Sequence, residues 1–222
     1  MLQSSTVSFL KALKKNNNKP WFDEHRKNYE AAKKDFEGFV QQVIAAHGKN
    51  DPQIADLVAK NCMFRINRDV RFSKDKSPYK TNFGASINPG GKKSLRAGYY
   101  IHIEAGKSFV GGGLFMPQPP ELKKVRQEID YNLSDFKAII QDKKFNSTFG
   151  SLSNDADLKL SRVPQGFEKE SPAAEFLVYK SFIAIQPIAD TALTDKSLGR
   201  EIIKAFVAIQ PLLRFLNRNI ED

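Results

Sequence analysis

The chain has 222 residues, of which 41% are hydrophobic, 11% aromatic and 27% charged. Seventeen Phe within that apolar share supply a real core for one large or two small domains, so disorder is excluded as the main state. Thirteen Gly and 11 Pro exclude collagen-like and low-complexity classes, and the single cysteine, Cys62, excludes an internal disulfide. No apolar run approaches the roughly 18 residues that span a bilayer. Met1 to Thr6 lack the basic and apolar regions of a signal peptide. The expectation is a cytoplasmic protein with no membrane association and no cofactor.

Val7, Phe9, Leu10 and Leu13 recur at helical spacing behind Ser5 or Thr6 as N-cap, which predicts a short opening helix. Asn16-Asn17-Asn18-Lys19-Pro20 ends it, and Pro20 fits the first position of the next helix. There Phe22, Tyr29, Phe36 and Val43 repeat, with Ala32, Phe39 and Val40 between them and Gly48 as the stop. The pattern predicts a single helix of about 26 residues, about 40 Å long at about 1.5 Å per residue. Asp51-Pro52 predicts an N-cap and first position for a third helix reaching Lys60.

The period changes at Cys62. Phe64, Ile66, Val70 and Phe72 alternate with Arg65, Asn67, Asp69 and Arg71, which predicts a strand, with Arg68 falling on its apolar side. Further strands are predicted at Phe83–Ile87, stopped by Asn88-Pro89-Gly90-Gly91, at Tyr99–Glu104, turned by Gly106, and at Ser108–Leu114. Short strands joined by tight turns favour an antiparallel meander. Pro119-Pro120 starts a helix carrying Leu122, Val125 and Ile129, and Ser134 is read as the cap of another with Phe136, Ile139 and Ile140. Residues 145–172 are irregular, Ser181–Ile188 returns as a strand, and a closing helix from Asp195 is expected to kink or split at Pro211. The reading is one α+β domain over 1–222: N-terminal helices, a central antiparallel β-meander sheet and C-terminal helices.

Formal net charge is +10, and its placement matters more than its size. Residues 1–80 carry 16 Lys and Arg against nine Asp and Glu. Arg65 to Lys80 alone holds Arg65, Arg68, Arg71, Lys74, Lys76 and Lys80 against Asp69 and Asp75. On a strand, Arg65, Asp69 and Arg71 share a face, so Asp69 can orient a guanidinium for bidentate contact with a phosphate or carboxylate. Ser73, Lys74, Lys76 and Lys80 follow as a polar loop able to close over an anion, and Tyr79 and Phe72 offer flat surface for a base or sugar. The bland alternative pairs these arginines with neighbouring carboxylates and leaves the loop solvated. Arg68 either reaches a core carboxylate, and is structural, or sits at the sheet margin.

Weaker signals surround this block. Ser73-Lys74-Asp75-Lys76 matches a Ser-x-x-Lys pattern of acyl-transfer enzymes, a coincidence without a helix beneath it. Gly111-Gly112-Gly113 is no phosphate-binding loop and reads as a bulge or close backbone approach. His25, His47 and His102 lack metal-ligand spacing, so no metal is expected. His102 beside Glu104 reads as half-exposed strand polars, with a general base and its orienting carboxylate as the functional alternative.

Asn16-Asn17, Trp21-Phe22, Arg68-Asp-Val-Arg-Phe-Ser-Lys-Asp-Lys76, Pro78-Tyr-Lys-Thr81, Tyr99-Tyr100, Gly111-Gly-Gly113, Pro117-x-Pro119, Pro164-x-Gly-Phe167 and Leu216-Asn217 occur in that order. Together they resemble the widespread microbial DUF2461 family over nearly the whole chain, with departures at Phe115 and at Ser171-Pro172. The resemblance implies a single-domain cytosolic protein and brings no activity, cofactor or catalytic residue. From the residues, the leading reading is an anion-binding domain for a phosphate-bearing small molecule or nucleic acid. Its ligand-binding residues are Arg65, Arg68, Asp69, Arg71, Ser73, Lys74, Lys76, Tyr79 and Lys80. An enzyme acting on a phosphorylated or carboxylated substrate at that site, with Asp69, Asp75 or His102 as acid or base, is the second. The third is a non-catalytic interaction module docking on an acidic protein.

Overall fold

Helical spacing at the two ends of the sequence and period-two alternation in its middle produce an α+β fold, described for residues 1–220 in a computed structural model. The strands are β1 (Asn82–Ile87), β2 (Gly98–Glu104), β3 (Phe109–Leu114) and β4 (Phe182–Pro187). They form one antiparallel sheet in the order β1-β2-β3-β4. Lys107 N–H donates to Glu104 C=O across the turn at Gly106, and Ile188 N–H donates to Ser108 C=O beside the β3–β4 pair. Every strand expected from Phe83 onward is present. No described helix is long and apolar enough to cross a membrane.

The chain divides into two compact units, each discontinuous in sequence. The first comprises Met1–Ile87, Tyr100–Val110 and Pro187–Ile203. In it α1 (Ser4–Lys15) buries Val7, Phe9, Leu10 and Leu13 and packs on α3 (Arg26–His47). The inward face of α3 is Ala32, Phe36, Phe39, Val40, Val43 and Ile44, and Phe36 stacks on Phe83 of β1 at 5.5 Å. The N-cap of α1 is Gln3, not Ser5 or Thr6. Asp35 on α3 takes over the capping role, accepting from Gln3 N–H at 2.9 Å and from the Thr6 hydroxyl at 2.6 Å.

The long second helix is broken. α2 (Lys19–Glu24), capped by the Asn18 side chain at Trp21 N–H, ends at His25 before α3 begins. His25 leaves helical geometry at φ −99°, ψ 18°, and its ring stacks on Trp21 at 4.1 Å. Beyond Gly48 the expected third helix reduces to a 3-10 turn at Pro52–Ile54 and the short α4 (Ala59–Cys62). Ile54 is buried while Val58 is exposed, so the stretch presents no continuous apolar face to hold a helix.

The second unit comprises Asn88–Tyr99, Gly111–Gln186 and the chain from Lys204 onward. Its helices are α5 (Pro119–Tyr131), α6 (Leu133–Ile140), α7 (Lys143–Phe149), α8 (Ala174–Leu177) and the greater part of α9 (Leu198–Leu216). Phe136 of α6 lies against Phe176, Phe182 and Phe215 at 5.0 to 6.2 Å, and Tyr99 of β2 sits 4.5 Å from Phe206. Ser134 falls inside α6 instead of capping it. Pro211 does not end α9. A helix-interior proline costs about 3 kcal/mol, but Leu212, Leu213, Phe215 and Leu216 beyond it are all buried. Burial contributes about 1.5–3 kcal/mol for each such side chain.

The three glycines of β3 act by close backbone approach. A Cβ on Gly111 or Gly113 would lie under 3.0 Å from the Ala184 or Phe182 carbonyl of β4, and Gly112 faces the Gly98 carbonyl of β2. Asn217 accepts from Ala97 N–H at 2.7 Å and donates to its C=O at 3.0 Å, so a side chain substitutes there for a strand neighbour.

Candidate functional site

The basic segment is a loop, which corrects the strand expected over Phe64–Phe72. Phe64 N–H donates to Gly84 C=O and Lys80 N–H to Ile66 C=O, so the register slips between these pairs and only isolated bridges form, at Met63–Ala85 and Asn67–Tyr79. After Arg68 N–H donates to Pro78 C=O, pairing ceases. The apolar alternation that suggested a strand does not describe burial: Ile66 is buried, whereas Phe72 is 94% exposed. Without a strand, Arg65, Asp69 and Arg71 share no pleated face.

Arg68 organises the loop from within. Its guanidinium pairs with Asp75 and lies 3.3 Å from both the Ser77 carbonyl and the Ser73 hydroxyl. Asp75 accepts from the Ser77 hydroxyl at 2.6 Å and Ser77 N–H at 2.9 Å. These Ser77 bonds, then Arg68, hold the Asp75 carboxyl at about 2. Arg68 thus reaches a loop carboxylate, not a core one. Arg71 forks onto Asp69 at 3.0 and 2.7 Å, and this pairing lowers the Asp69 pKa. Lys76 donates to the Val70 carbonyl, so Ser73 and Lys76 make no acyl-transfer pair.

Tyr79 turns inward. It is buried, stacks on Phe22 at 3.9 Å, and its backbone N–H and C=O are both bonded by the Asn17 side chain. Asn17 therefore fastens the end of the basic loop to the α1–α2 junction, as Asn217 fastens Ala97. Phe72 lies under the Arg71 guanidinium at 5.7 Å.

Once Arg68 and Arg71 are paired internally, four cations remain. Arg65, Lys74, Lys76 and Lys80 have no carboxylate within ion-pair distance among the described residues. Partial burial, then the Arg65 charge, pushes the Lys80 ammonium down. Lys80 also sits over the Phe64 ring at 5.3 Å.

Phe64 leads to a second cluster on the half-buried face of β2. Tyr100, His102 and Glu104 share that face because strand side chains alternate, while Tyr99, Ile101 and Ile103 are buried. His102 Nε2 lies 3.2 Å from Glu104, and its ring stacks on Phe109 at 4.6 Å. Nδ1 faces the Asn82 amide at 3.4 Å and the Tyr100 hydroxyl at 3.5 Å. Burial pushes the imidazole down, against the opposing pull of Glu104, so His102 is neutral at pH 7. Burial raises Glu104, but His102, the Thr81 hydroxyl at 2.9 Å and the Lys14 charge outweigh it and leave its pKa low. Among the described residues no cluster of His, Cys, Asp or Glu could hold a metal ion.

The structure brings together Arg68 with Ser73 and Asp75, and Arg71 with Asp69; it separates Tyr79 from the loop surface. Sequence alone assigns no role to Tyr100, Asn82 or Phe109, and only an alternative one to His102. Their signal was the period-two register of Tyr100, His102 and Glu104, which predicts a shared face. Compared with known families, residues 5–215 match the one described as a conserved hypothetical protein, DUF2461. No curated protein and no solved structure matches the chain.

Proposed function

The chain belongs to the DUF2461 family, whose description as conserved hypothetical proteins assigns no activity, and we propose from the site that it binds a phosphate-bearing ligand. The ligand's anion lies at Arg65 and Lys80, on a loop braced by Arg68, Asp75, Ser73 and Ser77. Lys74 and Lys76 add attraction, and Asp69 holds Arg71 beside them. One observation carries the reading: Lys80 sits over the open Phe64 ring at 5.3 Å, and among the described residues neither it nor Arg65 has a carboxylate within ion-pair distance. Cations without an internal carboxylate attract a phosphate-bearing ligand without first having to break an ion pair.

Calorimetric titration with inorganic pyrophosphate at low salt tests it. Saturable binding is expected, weakened at least tenfold in Lys80→Gln and Arg65→Gln and falling with added salt. Absence of saturation, or an affinity in both variants equal to that of the unsubstituted protein, refutes the reading. A second reading, an enzyme acting on such a ligand, draws on the neutral His102 held by Glu104, the arrangement of a base with its orienting carboxylate. Turnover of a phosphate ester that is lost in His102→Asn while pyrophosphate binding persists distinguishes it.

A further inference from the structure

We propose that the strip Phe64–Tyr100–Phe109 is the seat of an aromatic base, making the ligand a nucleotide whose phosphate lies at Lys80 and Arg65; this rests on the phosphate-binding reading and specifies its ligand. The rings adjoin but are tilted to one another, with centroids 6.3 Å apart and planes at 60° from Phe64 to Tyr100, and 5.8 Å and 41° from Tyr100 to Phe109. The Phe109 ring also stacks on His102, so Phe64 is the ring that offers an open face. Phe64 is 41% exposed, an apolar ring left open directly beneath an ammonium group. Gly84 makes room for the arrangement, since a Cβ there would lie 2.5 Å from the Tyr100 hydroxyl oxygen. Successive aromatic faces beside cations are the pattern by which proteins hold nucleobases.

Polar groups at the strip's edge are under-used. Among the described residues the Tyr100 hydroxyl contacts His102 Nδ1 at 3.5 Å, and Asn82 reaches that nitrogen only at 3.4 Å. Ordinary hydrogen bonds of these types are about 2.7–3.2 Å. With Nε2–H committed to Glu104, Nδ1 is an acceptor, Tyr100 a donor or acceptor, and the Asn82 amide both. Together they match a base edge, which carries donors and acceptors side by side. Glu104, the carboxylate on this face, is engaged by His102, by the Thr81 hydroxyl and, at 4.0 Å, by the Lys14 ammonium.

Calorimetry with AMP and with ribose 5-phosphate, and fluorescence anisotropy with a labelled single-stranded oligoadenylate, provide the test. AMP is expected to bind at least tenfold more tightly than ribose 5-phosphate, the scale of one base–aromatic stack. Phe64→Ala and Gly84→Ala should each weaken AMP at least fivefold more than they weaken ribose 5-phosphate; Phe64 is exposed enough that its variant keeps the fold, which circular dichroism verifies. Oligoadenylate binding tighter than AMP supports the proposal with a single strand as the source, and the reverse supports it with a free nucleotide. Equal affinity for AMP and ribose 5-phosphate, or AMP binding indifferent to both variants, overturns base recognition and leaves the phosphate site standing. Failure of both ligands and of pyrophosphate overturns the two together.

Discussion

Gly113→Ala tests the tight backbone approach between β3 and β4. The residue has φ +127°, a region that only glycine enters freely, and its added Cβ would meet the Phe182 carbonyl of β4 well inside contact distance. Backbone strain of this kind costs about 1–3 kcal/mol, and an overpacked methyl group about 1–3 kcal/mol more. Taking about 4 kcal/mol at about 2–4 °C per kcal/mol for a chain of this size, the thermal midpoint should fall by about 8–16 °C. Two further glycines separate the contributions. Gly106→Ala has φ +78° with open space around it, so it carries strain alone, about 1–2 kcal/mol. Gly38→Ala, exposed within α3 and also unobstructed, should gain about 1 kcal/mol. Melts of the three variants by circular dichroism decide the matter. A Gly113→Ala midpoint no lower than that of Gly106→Ala refutes the idea that the β3–β4 approach excludes a side chain.

Burial depresses both His47 and His102, so the unfolded chain binds more protons than the folded one as pH drops below about 6.5. Stability is therefore fully present above that value and declines as pH falls through the folded-state values; urea melts at pH 5, 6 and 7.5 should show it, with a smaller decline in His102→Gln. Arg68→Ala and Asp75→Ala should leave the thermal midpoint within experimental scatter, because Asp75 is exposed, yet loosen residues 68–77. Faster tryptic cleavage within that segment is the readout, and unchanged cleavage would remove the bracing role assigned to Arg68. Asn17→Ala, which strips the partners from Tyr79 N–H and C=O, should cost about 1–3 kcal/mol in urea denaturation; a smaller loss would mean that water replaces the side chain without penalty.

Local pattern carried most of the secondary structure. The alternation in Tyr99–Glu104 and the turn residues after Ile87 and at Gly106 were sufficient for β1 to β3, because one face of each strand meets the core and the register leaves no second choice. Residues Phe64–Phe72 carried the same alternation and formed no strand, since a strand also requires a continuous partner, and the slip between Phe64–Gly84 and Ile66–Lys80 denies them one. Pro211 shows the converse: the local rule predicts a break, and burial of the residues beyond it keeps the helix whole.

The candidate site divides along the same line. Sequence determined which residues carry charge, that Arg65 to Lys80 has a net positive excess, and that Tyr100, His102 and Glu104 point the same way. Pairing was beyond it. That Arg68 and Arg71 are neutralised by Asp75 and Asp69, that Tyr79 is buried under Asn17 and Phe22, and that Lys80, Phe64 and Tyr100 adjoin are decided by tertiary structure. Periodicity is a property of neighbours along the chain, whereas electrostatic pairing and ring contact depend on distances in space that loop closure alone sets.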